Sequence, residues 1–186
     1  MASVAVQPFS GTFRAQPEPS TFAFAVRHSG VFWYRGSLAD VTATLRGDGD
    51  ALALEGSARV ESISVAEPAA LRAHILAPDF FDAERHPEIT FRSTAIGLAD
   101  DGRADVDGEL TIRGVTRPIT ATGRYDAPRP SGMGEVAGLQ LKTSFDRREF
   151  GFEWQAELPG GGVAVSWDVE VDIDLLLTRE DADAEG

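Results

Sequence analysis

The stretch Val163-Ala164-Val165-Ser166-Trp167-Asp168-Val169-Glu170-Val171-Asp172-Ile173-Asp174-Leu175-Leu176-Leu177 decides the fold class. Every odd-numbered position in it is apolar, whereas Asp168, Glu170, Asp172 and Asp174 share the other parity. Side chains alternate across a strand, so this period of two predicts one buried face and one solvated, acidic face. At about 3.3 Å per residue the segment would reach roughly 50 Å, longer than an ordinary strand, which predicts a bend or an interruption. Acids spaced by two along one strand splay apart, so calcium binding there is disfavoured.

The same alternation recurs upstream. In Thr21 to His28, residues Phe22, Phe24, Val26 and His28 fall on one face and Ala23, Ala25 and Arg27 on the other. Further candidate strands are Val31 to Leu45, Leu52 to Val65, Ile89 to Leu98, Arg103 to Ile112, Pro118 to Tyr125 and Val136 to Phe145. Asp48-Gly49 and Asp101-Gly102 supply turn signals, and such short connections imply antiparallel neighbours. One segment breaks the pattern: Glu67 to Leu76 opens with an acid and a proline and continues through Ala69-Ala70-Leu71-Arg72-Ala73, which predicts a helix ending before Pro78. One helix interrupting eight or nine strands makes an all-β domain over residues 11–178. Residues 1–10 and the acidic tail 179–186 carry too little apolar content to pack and are expected to fray.

The chain has 186 residues, of which 42% are hydrophobic, enough for one domain with a proper core. Its formal net charge of -13 repels phosphate backbones and anionic headgroups, which argues against nucleic-acid partners and electrostatic docking on membranes. Cysteine is absent, removing disulfides, thiolate metal sites and thiol nucleophiles together. No apolar run reaches the about 18 residues of a membrane span, and the first residues lack a basic and then apolar leader, so a cytoplasmic chain is expected. No nucleophile triad, phosphate loop or zinc spacing is present among the motifs, so neither a catalytic residue, a metal nor a cofactor is expected. His28 lies on an apolar face without a neighbouring ligand, which suits a satisfied buried imidazole or a hydrogen-bond donor on that face. His74 reads as a structural helix residue and His86, before Pro87, as a loop residue.

An antiparallel sheet of this size must close or fold over to manage its edges. Alternation alone cannot separate a solid barrel from a hollow one, because both need the same inward residues.

Four segments resemble the YceI-like family, lipocalin-like proteins described as binding polyisoprenoids. They are Ser20 to His28; His74-Ile75-Leu76-Ala77-Pro78-Asp79-Phe80-Phe81-Asp82 running on to His86-Pro87-Glu88-Ile89-Thr90-Phe91-Arg92-Ser93-Thr94; Gly108 to Ile119; and Arg147-Arg148-Glu149-Phe150-Gly151 with the closing strand around Trp167. They occur in the family's order from Thr12 to Leu177. The chain departs from the family at Leu71-Arg72, where members usually carry Arg-Asp, and at Ile75-Leu76, which is more apolar than usual.

The resemblance implies an extended eight-stranded antiparallel lipocalin-like β-barrel with a short helical segment and an elongated apolar tunnel. The implied ligand is a polyisoprenoid, an isoprenoid quinone or a similar long-chain lipid, and a homodimer fits the resemblance. Strand parity then selects Phe22, Phe24, Val26, Phe32, Tyr34, Phe91, Val165, Trp167 and Val169 as lining residues, with His28 on the same face. Phe80 and Phe81 are expected to form a lid, one plugging the barrel and the other packing outside it. Arg147, Arg148 and Glu149 are expected to pair with one another or with the rim. Two other readings stand beside this one: an isomerase or hydrolase acting on an enclosed lipid with His28 as acid or base, and a solid-cored interaction module without cargo.

Overall fold

The alternating runs fold into ten strands in the computed structural model, which describes residues 7–180. In chain order these are β1 (Gly11–Ala15), β2 (Thr21–His28), β3 (Phe32–Ser37), β4 (Val41–Asp48), β5 (Ala51–Arg59), β6 (Glu88–Leu98), β7 (Arg103–Ile112), β8 (Val115–Ser131), β9 (Gly134–Asp146) and β10 (Asp168–Arg179). A single helix, α1 (Ala69–Leu76), follows β5, and short 3₁₀ turns occupy Val60–Ser62 and Arg147–Phe150. Every pairing is antiparallel, and the sheet runs β1-β4-β5-β6-β7-β8-β9-β10 before β10 returns to β1. This is the all-β, eight-stranded barrel with a short helix that the sequence leads one to expect. No described helix is long and apolar enough to cross a membrane.

Hairpin β2–β3 adds to the closed ring. β10 pairs with β2 through Glu170↔Ala25 to Asp174↔Thr21, then with β1 through Leu177↔Ala15 to Arg179↔Phe13. Its other edge is taken by β9 from Asp168 to Thr178. The outer edge of the hairpin is satisfied by the chain just after β5: Ser64 N donates to Ser37 O at 2.8 Å, Ala39 N to Ser62 O at 3.2 Å, and Leu38 bridges Ile63. One end of the barrel, called lower here, therefore has the single strand β1 between β10 and β4. The upper end has a two-stranded hairpin instead.

Turn chemistry fixes the register. The β7–β8 hairpin closes on Arg113 and Gly114, with φ of 52° and 71° and Ile112 opposite Val115. Two consecutive left-handed residues make the primed turn that matches strand twist, and glycine removes the steric cost at the second.

The lower half is filled. Phe13, Val106, Leu139, Leu141, Leu175 and Leu177 are all 3% exposed or less, and they join Phe9, Leu45 and Leu54 in one core. Phe9 plugs this end, its ring edge-on to Phe13 at 5.4 Å. The expectation that residues 1–10 fray therefore fails at its C-terminal part: Phe9 is buried because it closes the barrel floor. Arg179 likewise ends β10, bonded to Glu135 at 2.9 Å, and Glu180 is held beside β1 by its N donating to Thr12 O at 2.8 Å and by its ion pair with Arg14. The remaining terminal residues, 1–6 and 181–186, lie outside the described residues.

Other sequence boundaries also move. The closing strand begins at Asp168 rather than Val163, and Val163 is 37% exposed. The chain before Asp168 is held aside by side chains: Gln155 donates to Val165 O at 2.6 Å and accepts from Val165 N at 3.0 Å, while Arg147 Nε donates to Ser166 O at 3.0 Å. From Val169 onward the predicted parity holds, with Leu175 and Leu177 buried and Glu170 and Asp174 exposed. The run from Val31 to Leu45 divides into β3 and β4, and the helix begins at Ala69 rather than Glu67.

Leu177 is wholly buried where β10 meets β1. Leu177→Ala is expected to destabilise the fold by about 2–5 kcal/mol in urea denaturation. A loss below about 1 kcal/mol would contradict a close-packed lower half.

Candidate functional site

The upper half keeps the inward parity of the lower half without its burial. Phe24 opposite Val171, Phe22 opposite Ile173 and Val26 opposite Tyr34 share one face with Leu175 and Leu177. Phe145 opposite Val169 and Thr143 opposite Val171 extend that face onto β9. Phe22, Phe24, Val26, Tyr34, Phe91, Val169 and Val171 are nevertheless only half-buried. In a ring of paired strands, an inward side chain remains accessible when the interior is not filled. The inward face thus changes from packed to accessible on passing from Leu175 to Val171. Phe22, Phe91 and Ile173 pack onto the lower core and form the floor of the accessible part. Gly36 allows the Phe24 ring to lie flat across β3, since a Cβ there would collide with it.

An aromatic cluster roofs this space. Phe80 and Phe81 contact each other at 5.5 Å, and both contact Phe152, at 5.3 and 5.0 Å. Their expected division, one inside and one outside, is therefore incorrect. The reason is local: Phe80 N bonds Ala77 O and Phe81 N bonds Ile75 O in a tight turn rather than an extended strand, so adjacent rings converge. His74 lies edge-on to Trp154 at 4.8 Å and tilted against Phe80 at 5.9 Å, with Nδ1 3.7 Å from Asp79. α1 is held to the chain after β5 by Arg72, whose guanidinium donates to Glu61 O, Ile63 O and Val65 O at 2.6, 3.0 and 3.2 Å. At the departure Leu71-Arg72, the arginine of this chain is thus satisfied by three carbonyls.

Arg147 is buried, 3% exposed, at the upper end of the interior. It donates to Ser166 O, Trp154 O and Val165 O at 3.0, 3.1 and 3.4 Å, and its guanidinium lies 4.4 Å from the Trp167 ring and 5.9 Å from Phe80. Burial pulls its pKa below the ordinary arginine value. The neighbouring carboxylate, Asp146, is engaged by Arg148 instead, through Nε at 3.0 Å and Nη2 at 2.5 Å. Arg148 therefore pairs with Asp146 rather than with Glu149. Trp167 sits under both guanidiniums, 4.9 Å from Arg148.

Three expected lining residues lie elsewhere. His28 is exposed, not buried, because β2 carries it past the last ladder pair with β10; its Nδ1 is 3.1 Å from Ser29 Oγ. Phe32, opposite His28, is 59% exposed near the hairpin tip. Val165 bridges His28 across the rim, where the β10–β2 register slips. The alternation also did not reveal Phe145, Phe150, Phe152 and Trp154, which supply much of the roof. Their signal was available as an aromatic cluster running from Phe145 at the end of β9 through the 3₁₀ turn to Trp154. A separate depression of about 280 Å³ lies outside the barrel wall beside Glu55, Arg92 and Glu109. Its lining mixes these charged groups with Phe91 and threonine hydroxyls. No group of residues suited to a metal ion occurs among the described residues.

A sequence model of the YceI-like domain matches residues 13–177. The chain belongs to this family. Among curated relatives of the YceI-like chain, a UPF0312 protein of Pseudomonas putida is 36% identical over 104 residues, covering 55% of this chain and 50% of that protein. A UPF0312 protein of Ectopseudomonas mendocina is 30% identical over 131 residues and 68% of each chain. The chain spans about half the length of the first of these matches and two thirds of the second. Among solved structures, Burkholderia cenocepacia BcnA superposes with a TM-score of 0.70 at 18% identity, covering 87% of this chain and 98% of that one. A polyisoprenoid binding domain from Saccharophagus degradans superposes with a TM-score of 0.63 at 12% identity, covering 92% and 100%. These likenesses agree with the barrel described above.

The Asp146–Arg148 contact ties the YceI-like roof to pH. Hydrogen bonds from Arg148 hold the Asp146 carboxyl below the usual aspartate range. A depressed folded-state pKa stabilises the fold above the unfolded value of about 3.9 and ceases to do so as pH falls through the folded value. Asp146→Asn should lower the melting temperature at neutral pH, with the gap from wild type closing as pH drops below about 3.9. A gap independent of pH would show that the carboxylate charge is not what stabilises this contact.

Proposed function

We propose that the protein binds and sequesters or carries a polyisoprenoid, an isoprenoid quinone or a similar long-chain lipid in the upper interior, without chemistry of its own. One observation carries this reading: an apolar, inward-facing surface that is accessible above a solid floor. Each methylene transferred from water to such a surface contributes about 0.8 kcal/mol, so a chain of tens of carbons offsets the cost of association. Membership of the YceI-like family and the likeness to a domain described as polyisoprenoid-binding support the same ligand class.

The floor formed by Phe22, Phe91 and Ile173 would meet the buried end of the chain and set its length. Tyr34 and the ring of Trp167 bring polar tips to the lining and rim, where a head group needs hydrogen bonds. A role for His28 as acid or base is less well supported. It is exposed at the rim, and among the described residues no carboxylate pairs with it.

Protein purified without detergent should release a long-chain lipid on organic extraction, and native mass spectrometry should show its mass bound. Delipidated protein should take up a prenyl quinone. Val171→Trp and Val26→Trp, which fill the upper space, should each weaken that uptake by at least about tenfold while leaving the melting temperature close to wild type. Absence of both extracted lipid and quinone uptake would overturn the proposal.

A further inference from the structure

The β2–β3 hairpin tip places Val31, 81% exposed, beside Phe32, 59% exposed. A Cβ added at Gly30 would meet nothing within 4 Å, so the tip projects into open space. Adjacent large apolar side chains held out in this way are unusual on a surface that otherwise alternates cleanly. At the opposite end of the barrel Met133, 61% exposed, is solitary within its turn.

The hairpin's own charge is opposite in sign to that of the chain, although the outer face of β10 beside β2 carries Asp168 and Glu170. From Ser20 to Ala39 there is no Asp or Glu, while Arg27, His28 and Arg35 are present, in a chain of net charge -13. Arg27 and Arg35 both flank the Trp33 ring, at 5.0 and 5.8 Å, and Arg27 Nη2 also donates to Gly30 O at 2.5 Å. The cations are therefore fixed behind the apolar tip. The net charge that argued against membrane docking describes the whole surface, whereas the hairpin itself contributes only cations.

We infer that the hairpin tip is a docking element for an anionic bilayer surface, with Val31 and Phe32 inserting among the headgroups and Arg27 and Arg35 facing lipid phosphates. Apolar side chains backed by arginines, with an indole between them, are what an interfacial segment needs. A second copy of this chain is the poorer occupant: a two-fold contact centred on the tip would set Arg27 and Arg35 of one copy against their equivalents, with no acid from residues 20–39 between them. The tip stands at the end where the accessible interior lies, so docking would present that interior to the bilayer. The inference rests on the hairpin alone and does not require the interior to hold lipid.

Flotation of the full chain with vesicles of phosphatidylglycerol and phosphatidylcholine in equal parts tests it. The wild type should float with these vesicles, should float less with phosphatidylcholine alone, and should be released by high salt. Val31→Asp and Phe32→Asp should each reduce binding by about tenfold or more at an unchanged melting temperature. Arg27→Gln with Arg35→Gln should remove the preference for the anionic vesicles. The inference is overturned if wild type stays unbound with anionic vesicles, if the Asp variants float like wild type, or if light scattering shows a dimer that Phe32→Asp converts to monomer. Quinone uptake measured on the same variants is expected to be unchanged, which separates failure of docking from failure of cargo binding.

Discussion

One edge of β10 is shared by two strands, and the remainder of the architecture depends on that sharing. Unpaired backbone groups at a sheet edge must be satisfied, and closure removes the edge altogether. β1 satisfies the lower part of β10 and passes on to β4, which makes a ring of eight. β2 satisfies the upper part, and its partner β3 reaches the chain at Ser62–Ser64 instead of β4. Barrel diameter rises with strand number, so replacing one strand by a hairpin widens the upper half. The packed floor below and the half-buried inward face above coincide with this change in strand number.

A wider end creates a second requirement, a roof that does not leave polar groups stranded. The chain meets it with rings and one buried cation. Arg147 is the joint of this roof: three carbonyls from the stretch 154–166 converge on it while the faces of Trp167 and Phe80 lie over it. A buried guanidinium is tolerable only when its donors are satisfied. Here carbonyls and aromatic faces do so, and Asp146 is left to Arg148 on the outside.

The fold was legible because strand alternation, turn dipeptides and one Ala-rich helix signal agreed with one another. The candidate site was legible only in its strand-borne part. Phe22, Phe24, Val26, Tyr34, Phe91 and Val169 follow from parity, since a regular strand converts sequence position into direction. Phe32 and His28 share that parity yet leave the barrel, because the hairpin continues beyond the rim and parity gives direction without height. Val165 and Trp167 precede the strand, where side-chain bonds from Gln155 and Arg147 set the backbone path. Phe152 and Trp154 lie in irregular chain, whose course depends on contacts that no local period encodes.

The closing pairs of the barrel also impose an order in time. Phe13 and Ala15 meet Arg179 and Leu177, so the seam joins the first strand to the last. Loop closure of that length is slow compared with forming the neighbouring hairpins from β4 through β9. During synthesis, those hairpins can zip sequentially while β1 waits without its β10 partner and Phe13 stays uncovered on that side. The floor cannot be sealed until residue 177 has left the ribosome. For most of its synthesis the nascent barrel is therefore an open, curved sheet, and its greasy inner face is the surface that a chaperone would have to shield.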